Sequence, residues 1–159
     1  MITIYFETGE TLDLSLDSLV NSIFSGLELH RAIFENFDVS GADFTGANLR
    51  NASFNYSVLN RAVMHGAALM NATLVCVQIK GADLSEAIAI GADFTGEDLS
   101  SSGLKNADVF GASFVRANLC DVNFEVKRIE GACFSGAIYD EWTVWPEGFD
   151  PVVFGAIKV

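Results

Sequence analysis

Three stretches decide the reading of this chain: Ala42-Asp43-Phe44-Thr45-Gly46, Ala47-Asn48-Leu49-Arg50-Asn51 and Ala82-Asp83-Leu84-Ser85-Glu86. Each is five residues long, with a large apolar residue at the centre and alanine two places before it. Working outward, the central residue returns at every fifth position from Phe24 to Tyr139, 24 times in all, and none is polar apart from the tyrosine hydroxyl. Alanine fills 15 of the 24 places two residues earlier, from Ala32 to Ala137. A period of five matches neither the 3.6 of a helix nor the 2.0 of a strand, so neither element would keep both places buried. A fixed short period instead marks a solenoid, whose units hide their apolar faces only by stacking on neighbours.

If every fifth residue points inward, each pentapeptide turns the chain by a constant angle, and four of them close a square. Two residues after the centre a type II turn requires positive φ, which favours glycine or asparagine. Glycine stands there ten times and asparagine four times among the 24 units. Type II turns are expected at those corners, and another turn type where Arg31, Tyr56, Cys76 or Val126 takes the place.

These units resemble the pentapeptide repeat family over residues 22–141. The resemblance implies an all-β, right-handed quadrilateral β-helix, and twenty-four units at four per coil give about six coils. The run Tyr139-Asp140-Glu141-Trp142-Thr143-Val144-Trp145-Pro146 also resembles tails on cyanobacterial members. Residues twenty apart should then stack at roughly the 4.8 Å strand spacing. One inner column would be Phe34, Phe54, Leu74, Phe94, Phe114 and Phe134, the expected structural core.

Both coil ends need covering, because open ends expose core and unpaired backbone. Residues 1–21 are expected to form an N-terminal cap. Ile2, Ile4 and Phe6 alternate with polar neighbours, as do Leu12, Leu14 and Leu16, with turn chemistry at Glu7-Thr8-Gly9-Glu10, so a β-hairpin is the simplest reading. The helical spacing of Leu16, Leu19, Val20 and Ile23 keeps a short helix as the alternative. Residues 142–159, with Trp142, Trp145, Phe149, Phe154, Pro146 and Pro151, read as an aromatic and proline-rich C-terminal cap.

Two inner places break the alanine rule: Glu97 and Lys127. Held inward, the Glu97 carboxylate would be desolvated and its ionised form disfavoured; the favoured reading tilts it outward through a distorted turn near Ser100, Ser101 and Ser102, and has Lys127 snorkel at the last coil. Neither points to catalysis, since His30 and His65 fall on different coils and faces and no serine or cysteine accompanies them. No phosphate-cradling glycine loop precedes a helix, and Cys76, Cys120 and Cys133 lack metal-like spacing. No enzyme, cofactor or metal is expected.

Composition bounds the partners. The chain has 159 residues with 21 acidic and 9 basic side chains, a net charge of −12, which opposes nucleic acid and anionic membranes. No apolar run approaches the roughly 20 residues of a membrane span, and no basic region precedes a hydrophobic core at the N-terminus, so a cytoplasmic location is expected. On the face centred at Leu29, Leu49, Leu69, Ala89, Val109 and Ile129, the outward Met70, Ile90 and Phe110 should stack beside Ala68 and Ile88. Arg50, Asp108, Arg128 and Glu130 border this patch. A monomer seldom leaves such a patch unused, so it is the candidate face for an unknown protein partner or for self-association. The alternative implied by the family is an acidic mimic of DNA that binds DNA gyrase or topoisomerase, though the chain lacks an interrupting loop and a helical dimerisation module.

Overall fold

The computed structural model describes residues 1–159 and contains strands and turns but no helix. Parallel bridges join each residue just before a centre to its counterpart twenty positions on. They run from Ile23↔Asp43 through Ala68↔Ile88 to Asn118↔Ile138. Along each side of the square the backbone N–H of one coil donates to a carbonyl of the next, as from Phe44 to Val63 (2.7 Å) and from Leu69 to Ile88 (2.8 Å). The quadrilateral β-helix implied by the resemblance is the fold of the repeat region.

The period dictates this packing because a central residue and the alanine before it both face the axis. All of Phe34, Phe54, Leu74, Phe94, Phe114 and Phe134 are buried. Rings within the column lie nearly parallel, with centroids 5.0 Å apart for Phe34 and Phe54, 5.1 Å for Phe94 and Phe114 and 5.4 Å for Phe114 and Phe134. Rings from the neighbouring column, Phe24, Phe44 and Phe124, meet them edge to face. Offset stacking and edge-to-face contact are the two favoured aromatic geometries, so the square satisfies both at once. Alanine at the intervening place leaves room for those rings.

The corners differ from expectation. Every residue two places after a centre, from Gly26 to Gly136, has positive φ except Val126, and this includes Arg31 (61°), Tyr56 (62°) and Cys76 (58°). A non-glycine residue in that region costs about 1 to 2 kcal/mol. The cost is met because each corner is held by its neighbours: at Arg31 the N–H donates to the Arg50 carbonyl (2.9 Å) and the next N–H, of Ala32, closes the turn onto Leu29 (3.0 Å). Stacking overrides local propensity. At Val126, where its N–H turns back to Phe124 (2.8 Å) in the last coil, and again at Glu141 after the last centre, the corner changes shape.

At the start of the chain β1 (Ile2–Phe6) and β2 (Thr11–Leu14) form an antiparallel hairpin, and β1 also pairs antiparallel with β3 (Ala32–Ile33). Ile4 is buried by this arrangement. Residues 15–23 are not helical. At the other end β4 (Ile138–Tyr139) takes β5 (Ile157–Lys158) as a parallel partner. Trp145 packs edge-on to Phe134 and Tyr139, and Phe149 against Trp145.

Candidate interaction face

One side of the square, with the corner that follows it, carries the sequence-derived candidate residues. Its mid-side outward column runs Glu28, Asn48, Ala68, Ile88, Asp108 and Arg128, each bridged to the next. The corner column beside it runs His30, Arg50, Met70, Ile90, Phe110 and Glu130. Rungs from Arg31 to Arg50, Asn51 to Met70, Asn71 to Ile90, Gly91 to Phe110 and Gly111 to Glu130 hold that column in register. Ala68, Met70, Ile88, Ile90 and Phe110 are thereby brought together. Ile88 keeps 38% and Phe110 45% of its surface exposed, while Ala68, Met70 and Ile90 are half-buried by their neighbours.

Stacking explains the polar rim. Asp108 and Arg128 lie on adjacent coils of one column, and Arg128 Nε donates to both Asp108 oxygens at 2.9 and 3.0 Å while Nη2 joins it in an ion pair. These bonds hold the Asp108 carboxyl below the ordinary carboxylate range. The guanidinium also sits 5.1 Å from the centre of the Phe110 ring, a cation–π contact that covers one end of the patch. At the opposite end, the Asn51 side-chain amide donates to His30 Nε2 (3.2 Å) and Asn48 Nδ2 donates to a Glu28 oxygen (2.6 Å). Arg31 and Arg50 are exposed beside them and belong to no ion pair. Arg31 is the rim residue that the sequence reading passed over; its place is readable from the twenty-residue register that aligns it with Asn51.

Other carboxylates have structural work. Oδ1 of Asp38, Asp43, Asp83, Asp93 and Asp98 accepts the backbone N–H two residues on, at 2.8 to 3.0 Å. Aspartate before a centre therefore braces the following corner by an Asx turn. Hydrogen bonds from Ser40 and Thr45 hold Asp38 and Asp43 below their usual range.

Glu97 departs from the expected outward tilt. It is only 5% exposed and stays inward. Its Oε1 accepts the Cys76 backbone N–H at 2.7 Å, and the Val77 N–H also supports the carboxylate. At other corners the equivalent N–H meets a carbonyl of the next coil, as Tyr56 meets Val75 (2.9 Å). The acid remains inside because two backbone donors would otherwise be orphaned there. Burial pushes its pKa up, the Cys76 and Val77 N–H groups oppose that, and the Asp93 charge adds to it. Its hydrogen-bond partners are backbone groups, so the arrangement is a strut. Lys127, by contrast, is exposed.

No group of acidic, histidine and cysteine side chains is placed to hold a metal ion. No helix is long and apolar enough to cross a membrane.

Two stretches of the chain, residues 38–75 and 78–114, match the family described as Pentapeptide repeats, in 8 copies. Those stretches carry the pentapeptide repeat, and the columns and rungs continue its register on either side of them. Among solved structures it is similar to HetL, a pentapeptide repeat protein involved in heterocyst differentiation regulation from the cyanobacterium Nostoc sp. strain PCC 7120. The identity is 24% over 81% of this chain, with a TM-score of 0.54. The chain spans 64% of the HetL chain, and the likeness is one of fold. It also aligns with Rfr23 from the cyanobacterium Cyanothece 51142 at 22% identity, covering 79% of this chain and 89% of that one, TM-score 0.41. QnrB1, a plasmid-mediated fluoroquinolone resistance protein, aligns at 19% identity over 88% of this chain and 78% of its own, TM-score 0.46. The sequence matches none of the curated proteins.

Proposed function

We propose that this protein is a non-enzymatic scaffold: a six-coil rod, capped by residues 1–21 and 142–159, that offers the face around Ile90 to another protein. The observation that carries this reading is the outward stack of Met70, Ile90 and Phe110, with Ile88 beside it, on a side whose inward residues from Leu29 to Val109 are fully buried. The core does not need these side chains, and contiguous outward apolar surface is what a partner would cover. Neither nucleic acid nor membrane suits a chain of net charge −12. Capture from lysate at low and high salt tests the reading, with wild type beside Ile90→Glu, Phe110→Glu. A partner held in high salt and lost with the variant supports it; equal recovery by both proteins removes it.

The acidity carries a second reading, a DNA mimic directed at gyrase or topoisomerase. Recognition would then run through outward carboxylates such as Asp43, Asp83, Asp93 and Asp98. Binding to purified gyrase would weaken steeply with ionic strength and be indifferent to Ile90→Glu, Phe110→Glu. Gyrase binding that ignores salt would discard it.

A further inference from the structure

The candidate face differs electrically from the rest of the molecule. The whole chain has 21 acids against 9 bases, yet the two outward columns and their flanks hold three acids, Glu28, Asp108 and Glu130, with four bases, Arg31, Arg50, Lys127 and Arg128. On most of the surface two copies of this protein would repel. Here they would not.

The charges are also ordered. Along the corner column Arg50 stands two coils before Ile90 and Glu130 two coils after it, with Met70 and Phe110 one coil away on either side. At the strand spacing of about 4.8 Å this places Arg50 and Glu130 each about 10 Å from Ile90. The column therefore reads basic, apolar, apolar, apolar, acidic, with its midpoint at Ile90. In the neighbouring column the midpoint is Ile88, between Ala68 and Asp108 and then Asn48 and Arg128.

Resting on the scaffold reading, we infer that the occupant of this face is a second copy of the same chain, docked antiparallel about a two-fold axis that crosses the face at Ile88 and Ile90. An isologous contact requires that residue i meet residue j and j meet i. Turning one rod end for end over the other does this: Arg50 meets Glu130 at both ends, Met70 meets Phe110, and Ile90 and Ile88 meet themselves. A parallel arrangement would set Arg50 on Arg50 and Glu130 on Glu130, which like charges oppose. Asp108 and Arg128 neutralise each other within each copy and need no partner across the contact.

The contact is modest. One side of the square is about three extended residues wide, roughly 10 Å, so the covered area falls below the about 800 Å² per partner of stable complexes. Association is therefore expected to be reversible.

Charge exchange tests the arrangement. Sedimentation velocity is run on the full chain from about 1 µM to about 1 mM, the range in which contacts of this size dissociate. Wild type should dimerise. Arg50→Glu alone and Glu130→Arg alone should each weaken self-association at least tenfold, with thermal unfolding unchanged as the control for folding. Mixing the two variants should restore dimers, because both end contacts are then opposite in sign. A wild type that stays monomeric throughout, single variants that associate as wild type does, or a mixture no better than its components would overturn the inference. None of those results touches the scaffold reading, which is decided by the salt-resistant capture and its loss with Ile90→Glu, Phe110→Glu.

Discussion

The same corner of the square, seen on two successive coils, is built in two ways. At Phe54–Ser57 the Tyr56 N–H meets the Val75 carbonyl of the next coil and the Ser57 N–H closes the turn onto Phe54 (3.0 Å). One coil on, at Leu74–Val77, the Cys76 N–H meets the side chain of Glu97 instead. Positive φ persists in both, at 62° and 58°. Inward packing thus sets the path of the chain, and a side chain can replace a rung without bending the rod. The second coil also carries Leu74 where its neighbours carry Phe54 and Phe94, and Val77 where alanine is usual. A smaller centre beside larger flanks keeps the filled volume similar, which cores tolerate best.

Breaking the regular side of this comparison has the largest expected effect. Phe94→Ala removes a buried ring from the stacked column, and chemical denaturation should show a loss of about 3 to 5 kcal/mol. Glu97→Leu attacks the irregular side. It leaves the Cys76 and Val77 N–H groups without their acceptor in a part-buried place, so a loss of about 1 to 3 kcal/mol is expected. The pH dependence sharpens the point. The Glu97 pKa is raised in the folded state, so its contribution to stability is fully present below the ordinary glutamate range and is lost as pH rises through the raised value. Glu97→Gln keeps an acceptor oxygen and removes the titration, so the difference in unfolding free energy between wild type and variant should shift in the variant's favour as pH rises across that window. Asp43→Ala removes only the bonds from Thr45 and should cost about 1 kcal/mol, with Asp43→Asn recovering most of it. The smallest effect is expected at a strained corner: Arg31→Gly relieves its positive φ and should change stability by less than about 1 kcal/mol.

The fold was legible because the pattern is redundant. Columns such as Phe34 to Phe134 repeat one physical requirement six times, so a single substitution such as Leu74 does not hide it. Corners such as Arg31 and Tyr56 were misread because turn propensity is local, whereas their φ is imposed by rungs from the next coil. Glu97 was misread for a related reason: alone it looks too costly to bury, and its two backbone donors, Val77 and Cys76, lie twenty and twenty-one residues away. At the candidate face, register alone brought Met70, Ile90 and Phe110 together. The placement of Arg128 over Phe110 depended on side-chain geometry that spacing does not encode.

The account separates inward residues, which hold the rod together, from the outward stack at Ile90, which it assigns to a partner. The thermal unfolding midpoint of Ile90→Glu, Phe110→Glu tests that division most directly. At about 2 to 4 °C per kcal/mol for a chain of this size, the account predicts a midpoint within about 4 °C of wild type, allowing for the lost contact between Arg128 and Phe110. A fall as large as that of Phe94→Ala would contradict it, making the outward stack part of what holds the coils together.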